Sequence, residues 1–485
     1  MAKKPVQLDE KGFRKFGTLD KLAYAAGDLG CNMSFGLKGT VQTFWLVYMM
    51  LETGLLSGLL LLVQIWDAIN DPIIGAMIDA DRRQYKMGKF KTYIFIGACG
   101  LIVGGAAVFL PFPGANTVVK AMLFILGYII WDAAYTMANV PYGSMLSLVT
   151  TDAGERAQLS SWRSIGSMIG NILPGIILPM IIWKNVYDEN GEKIAQELLG
   201  DRVFWAALLM GVIGFAAFMF MIKSITIRVD ENSVKTNEAG EKFNVIKAFT
   251  NFMKNRPAVG ATVAAMGMFL GMQSASTANS IMFATYFKQA QLSGLVMMVG
   301  FLPMFLFMPF IKKLVDKFGK KEASVAGTIV SILGGVVMLI FPMVPMNLSL
   351  PVYMVGLVIF GLGMGVYTCV SWAMMADAID YNEWKFGTRE EGTVYSLHSF
   401  FRKLAQGIGP SIVLLIMGAL GYVSELGTAG QSAQVSHNMC WLVAGLYTFS
   451  ALVQFVGIGI IYNLDKKTLA QMNEELAARH ESANV

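Results

Sequence analysis

Charge is scarce in this chain. Of its 485 residues only 15% are Asp, Glu, Lys or Arg, whereas 55% are hydrophobic. Its many apolar runs of roughly 18 or more residues then mark a polytopic helical membrane protein rather than a soluble body. Histidine is nearly absent, with three in total, and no His-Glu-x-x-His pair occurs. The phosphate-cradling Gly-x4-Gly-Lys-Ser/Thr loop is missing too, which argues against a zinc hydrolase and an ATP-driven pump. No enzyme and no cofactor beyond a transported ion is expected. The four cysteines, Cys31, Cys99, Cys369 and Cys440, lie inside apolar runs, so they read as packing residues rather than a disulfide framework. The first 21 residues hold no short apolar core or small-residue cleavage site, so no cleaved leader is expected.

What is present is a succession of apolar segments. Twelve spans are expected, at about 22–50, 55–78, 92–112, 117–150, 160–183, 203–223, 258–287, 293–311, 323–343, 351–377, 392–420 and 439–463. Basic residues crowd the leading segment (Lys3, Lys4, Lys11, Arg14, Lys15, Lys21), the loop with Arg82, Arg83, Lys86, Lys89 and Lys91, and the loop with Lys312, Lys313, Lys317, Lys320 and Lys321. The alternate loops near Pro111 and Pro342 hold no Lys or Arg. The positive-inside rule puts both termini in the cytoplasm. The net charge of +5 is thus a loop signal and not a nucleic-acid footprint.

A polar connector at 224–257 divides the spans six and six. The expected domains are an N-terminal bundle (1–223), this central cytoplasmic loop, a C-terminal bundle (258–463) and a tail (464–485) reading as a short solvated helix. Asp79-Ala-Asp81-Arg82-Arg83 after the second span and Asp316-Lys317-Phe-Gly319-Lys320-Lys321 after the eighth occupy corresponding places. The second loop resembles that of the major facilitator superfamily. The fold class expected is all-α, with twelve transmembrane helices in two six-helix halves and a substrate site between the halves near the midplane.

Within the second span, Asp67 and Asp71 lie four residues apart on one helical face, with Asn70 beside them. A charge at the bilayer centre costs roughly 2.5–3.5 kcal/mol on insertion scales, so two in one turn point to an ion site, Na⁺ or H⁺. A buried ion pair with another helix is the competing reading. The first span carries Asp28 and Asn32 on one face, with Lys38 and Gln42. The fourth carries Asp132, Tyr135, Thr136 and Asn139, and the fifth opens with Trp162-Arg163. Gln273 and Asn279 lie in the seventh, Trp372 in the tenth, and His398, Arg402 and Lys403 in the eleventh. Carboxylates, amides and aromatics on several helices suit a hydrated cavity for a polyhydroxylated substrate. His398 reads as a packing residue, and Ser274, Ser276 and Thr277 as interhelical contacts.

These residues resemble the glycoside–pentoside–hexuronide:cation symporter family, which includes the melibiose and glucuronide permeases. The likeness covers nearly the whole chain. It is carried by Trp66-Asp67-Ala-Ile-Asn-Asp71-Pro72-Ile, by Asp71-x3-Gly75-x3-Asp79 with Gly88-Lys-Phe-Lys91, by Tyr135-Thr136-x2-Asn139-Val-Pro141 with Glu155 and Arg163, and by Asp377-x2-Asp380-Tyr-x-Glu383-Trp with Arg389, Glu391, Tyr395 and Arg402-Lys403. The resemblance implies that Asp67, Asp71 and Thr136, with Asn70 adjacent, hold the coupling cation, as metal ligands if that ion is Na⁺. It implies a sugar site at Asn32, Asn139, Arg163 and Lys403, to which Asp28 and Trp372 are added from their own placement. Melibiose-type members have aspartates where Asn32 and Asn139 stand, and Gly27-Asp28-Leu-Gly30-Cys-Asn32 is similar to the glucuronide-permease branch. Lys38 and Asp132 have no family counterpart; they pair with each other, or Lys38 favours an anionic sugar.

The function expected is Na⁺- or H⁺-coupled import of a glycoside, oligosaccharide or glucuronide by alternating access. The alternative is a carrier of the same architecture for another substrate class, a lysolipid carrier or an exporter. The expected partners are a small sugar, the coupling cation and the lipid of a bacterial cytoplasmic membrane, with no nucleic acid. The sequence leaves the sugar, the ion and the oligomeric state open.

Overall fold

The computed structural model describes residues 13–81, 83–150, 153–187, 189–228, 245–306, 310–387 and 391–483. The first half contains α1 (Thr18–Phe35), α2 (Lys38–Thr43), α3 (Thr53–Ala80), α4 (Lys89–Val108), α5 (Thr117–Val149), α6 (Ala153–Ile182), a hairpin of β1 (Trp183–Tyr187) and β2 (Lys193–Leu198), and α7 (Gly200–Ser224). The second contains α8 (Val245–Lys254), α9 (Arg256–Thr285), α10 (Ser293–Leu306), α11 (Ile311–Phe318), α12 (Lys320–Ile340), α13 (Met346–Phe386), α14 (Glu391–Ala419), α15 (Ala433–Phe455) and α16 (Lys466–Ala483). Ten helices among the described residues are long and apolar enough to cross a membrane. The broken α1–α2 segment and the shorter apolar α10 stand at the other two expected spans, giving the twelve-helix architecture. The chain is a multi-pass integral membrane protein.

The expected first span is not one helix. It stops at Phe35, restarts at Lys38 and ends in a π-helical turn at Phe44–Tyr48. Gly36 marks the break, and a helix-interior glycine costs about 1 kcal/mol relative to alanine. Interrupted spans are tolerated where neighbouring helices or a polar cavity satisfy the freed backbone. In the expected central loop, residues 229–244 lie outside the described ones, and Val245–Lys254 is helical rather than irregular. The basic residues Lys3, Lys4, Lys11 and Arg82 and the motif residue Arg389 also lie outside the described residues.

The chain divides into two compact units, Met1–Val186 with Glu197–Glu238, and Tyr187–Gln196 with Ala239–Val485. In the first, α1 packs on α6 and α7, and α5 packs on α3 and α4. Lipid gives helices no hydrophobic reason to associate, so their interfaces rely on small residues that let backbones approach. Gly166 and Gly170 on α6 lie against Ala25 and Leu29–Asn32 on α1, where any added Cβ would strike backbone. Gly97 and Gly104 on α4 do the same against Ala138 and Trp131 on α5. The α1–α6 contact therefore fixes which residues of the two helices face each other.

In the second unit α12 and α13 interlock through Gly327 and Gly334 on one side and Gly356 and Gly363 on the other. The 41 residues of α13 span about 60 Å at ~1.5 Å per residue, twice the roughly 30 Å of a hydrocarbon core. The helix therefore runs on beyond the span expected to end at 377, and it terminates at Gly387 in the left-handed conformation (φ 70°). Asp377 is held by Lys320 at 2.7 Å. The tail helix α16 is not simply solvated. Its Met472 and Leu476 are buried, Trp384 Nε1 donates to Glu475 at 2.6 Å, and Lys466 Nζ donates to the Asp316 and Lys317 carbonyls. The apolar 472/476 pair, one helical turn apart, is the signal that the polar composition of the tail hides.

Candidate functional site

Two polar clusters lie in the first unit, joined by α5. The first is built across α1 and α6. Arg163 Nε donates to Asp28 Oδ1 at 2.9 Å, and Asn32 Nδ2 donates to Asp28 Oδ2 at 2.9 Å. Asn171, two turns along α6 from Arg163, donates to Asn32 Oδ1 at 2.8 Å. The Asp28 side chain is buried, whereas the Arg163 side chain is 39% exposed. Arg163 lies over the Tyr142 ring at 5.1 Å, and the Tyr142 hydroxyl donates to the Tyr24 carbonyl on α1. Asn139 approaches from α5, where its Oδ1 meets the Cys31 thiol at 3.7 Å. Asp28, Asn32, Asn139 and Arg163 are thus one neighbourhood, with an arginine that keeps part of its surface open.

The second cluster lies between α3 and α5. Asn70 Nδ2 donates to Thr136 Oγ1 at 3.0 Å and to Asp132 Oδ2 at 3.2 Å. Thr136 Oγ1 in turn donates to Asp71 Oδ1 at 2.8 Å. Gln64 Nε2 donates to Asp67 Oδ2 at 3.2 Å, one turn back along α3. Asn70, Asp132 and Thr136 are almost wholly buried. Asp67 and Asp132 share a hydrogen bond, so three carboxylates from two helices converge. The donors offered are all oxygens, the chemistry that hard cations and protons take. Among the described residues no group of three or more His, Cys, Asp or Glu is arranged as a metal cluster.

The remaining sequence candidates belong to the second unit. Trp372 on α13 is 48% exposed, with His398 against its edge at 5.8 Å and the Arg402 guanidinium over its ring at 5.6 Å. Arg402 also covers Phe269 on α9. His398 is buried and bonds Thr262 Oγ1 through Nδ1 at 2.9 Å, a packing role. Lys403 is half-buried on α14 beside Arg402.

Four participants were not singled out as site residues by sequence. Asp132 was visible as one turn from Thr136, but only the α3–α5 contact shows that it reaches Asn70. Lys38 donates to the Tyr128 hydroxyl and lies within electrostatic reach of Asp67, Asp71 and Asp132, rather than forming a private pair with Asp132. Asn171 and Tyr142 carried no marker beyond helical spacing, eight residues from Arg163 and three from Asn139.

A family profile described as MFS/sugar transport protein matches residues 23–466. The chain belongs to that family. It is the glycoside–pentoside–hexuronide type of the major facilitator superfamily that the motifs resemble, and its members are transporters, not enzymes. The chain is 30% identical to "Uncharacterized symporter YjmB" of Bacillus subtilis (strain 168), over 98% of each chain. It is 27% identical to "Glucuronide carrier protein homolog" of Escherichia coli (strain K12), over 83% of this chain and 84% of that one. A solved nucleoside transporter, NupG, shares the fold at 12% identity with a TM-score of 0.57, over 92% of this chain and 100% of that one.

Proposed function

We propose that this sugar-type transporter is a cation-coupled importer of a glycoside or uronide, driven by Na⁺ or H⁺. The observation that carries the reading is the hydrogen-bonded chain Asn70–Thr136–Asp71 with Asp132, which ties α3 to the helix that also serves the Asp28–Arg163 site. Asp67, Asp71, Asn70 and Thr136 hold the cation. Asp28, Asn32, Asn139 and Arg163 hold the sugar. No other cofactor is involved. The protein works in a bacterial cytoplasmic membrane with both termini inside, where its basic loops lie.

Coupling follows from α5. Asp132 and Thr136 sit on its cation side; Asn139 and Tyr142, one and two turns on, sit beside α1 and Arg163. A cation that pulls α3 and α5 together then sets Asn139 and Tyr142 in place for sugar. Such coupling is typically ~1–3 kcal/mol and reciprocal. A uronide is favoured over a neutral glycoside because Arg163, already shared with Asp28, has exposed surface to offer an acidic group, and because the relative named for glucuronide is similar over most of its length.

Uptake of labelled glycosides and uronides into membrane vesicles, with and without a Na⁺ or proton gradient, tests this. Asp71→Asn should lose uphill accumulation and keep part of its sugar binding. Concentrative uptake unchanged in Asp67→Asn/Asp71→Asn sinks the cation assignment, and equal competition by neutral and acidic sugars sinks the uronide preference.

A further inference from the structure

Lys38 is the one basic side chain placed at the break in the first span, where α1 has ended and α2 begins. It is half-buried, its ammonium lies 4.8 Å from the Phe35 ring centroid, and it donates to the Tyr128 hydroxyl of α5. From there it faces Asp67 and Asp71 on α3 and Asp132 on α5. Asp71 and Asp132 are tied together by the Asn70 and Thr136 bonds, and Asp67 joins them through its hydrogen bond to Asp132, so the lysine addresses the three as one group. On the sugar side, Asp28 is already paired with Arg163.

We propose that Lys38 is the tethered counter-cation of the Asp67–Asp71–Asp132 group, sharing the carboxylates with the coupling ion and setting how tightly that ion binds. The inference rests on the reading of this group as the coupling site. One ammonium against three carboxyl groups, two of which share a proton, still leaves an excess of negative charge for a mobile cation to fill. An unshielded charge in a membrane interior is expensive, so a resident ammonium limits that cost whenever the mobile ion has left. The same ammonium opposes the ion's return, because two like charges now address one set of oxygens. Lys38 thus trades cation affinity for ready release of the cation to the cytoplasm. Because it stands where α1 and α2 meet, a shift at that break changes its distance to the carboxylates, and with it the ion affinity of each conformation.

The test uses the full chain in nanodiscs and reads cation-stimulated sugar binding. Na⁺ is titrated at constant pH with choline as replacement, or protons are titrated without Na⁺, whichever ion the wild type answers. Lys38→Met should lower the half-saturating cation concentration at least tenfold, equivalent to about 1.4 kcal/mol. Lys38→Arg, which keeps the charge, should stay nearer the wild type. Should Lys38→Met insert poorly, Lys38→Met/Asp132→Asn removes one charge of each sign and carries the measurement. It too should differ from Asp132→Asn alone by binding the cation more tightly. Unchanged or weaker cation binding on losing the ammonium overturns the proposal, since a merely structural lysine gives no gain. If Asp71→Asn abolishes the cation response while Lys38→Met leaves it unaltered, this inference fails and the coupling site stands. If the wild type answers neither ion, the coupling reading fails and takes this one with it.

Discussion

Two aspartates on α1 each meet arginine, and they meet it differently. Asp20 is fully buried and saturated. Its Oδ1 accepts from Arg14 at 2.6 Å and from the Thr226 backbone at 3.2 Å; its Oδ2 accepts from Arg228 at 3.0 Å and from the Gly17 backbone at 3.2 Å. Arg228 also reaches the Arg14 and Val149 carbonyls, and Arg14 reaches that of Ser224. The network closes on itself, stapling the start of α1 to the ends of α5 and α7. Asp28, eight residues on, meets one arginine, the Asn32 amide and the Ser167 hydroxyl, and that arginine is partly exposed. The lesson is that a buried aspartate–arginine pair marks a binding site only when some of its hydrogen-bonding capacity remains to be filled. Sequence reading named Asp28 and passed over Asp20, which lay just outside the expected first span.

The comparison can be broken at its closed end first. Asp20→Ala strands two guanidinium groups among carbonyls, and breaking a buried pair of this kind costs about 3–5 kcal/mol. The expected outcome is loss of most folded protein from the membrane, read by fluorescence-detected size exclusion. A well-folded Asp20→Ala protein would mean that the network is dispensable. Next in size is Gly166→Leu at the α1–α6 contact, where even a Cβ meets the Ala25 backbone. It should lower both melting temperature and transport, because it parts the helices that hold Asp28 and Arg163 together. At the open end, Arg163→Gln should keep near-normal amounts of protein and lose tenfold or more of sugar transport per molecule. Loss of protein in proportion to transport would make this pair structural like the other.

The smallest effect concerns a carboxylate outside the membrane. Asp81 closes α3 and accepts from the Tyr85 and Tyr93 hydroxyls and the Arg83 backbone, which hold its carboxyl well down, at about 2. A depressed folded-state value stabilises the protein above the ordinary carboxylate value near 4, and that contribution disappears as pH falls towards 2. Thermal stability of purified protein should therefore drop between about pH 4 and pH 2, and Asp81→Asn should flatten that slope. The group is solvent-accessible, so the change is small.

Much of this protein was legible in its residues. Apolar length fixed the number of spans, the scarcity of charge picked out Asp28, Asp67, Asp71, Asp132 and Arg163, and the four-residue spacing of Asp67 and Asp71 placed them on one face. These follow from a solvent that rejects charge and from a helix whose period is known. Periodicity gives the faces of one helix but not the rotation of one helix against another. That rotation came from glycine contacts far apart in sequence, such as Gly166 with Ala25, and it decided that Arg163 takes Asp28. It likewise brought Asp132 to Asn70, while the break at Gly36 turned Lys38 towards three carboxylates. The tail was misjudged for the same reason: its polar composition is that of a solvated helix, and only packing shows Met472 and Leu476 covered. Composition determined what must hide from lipid, and tertiary contact decided which groups hide together.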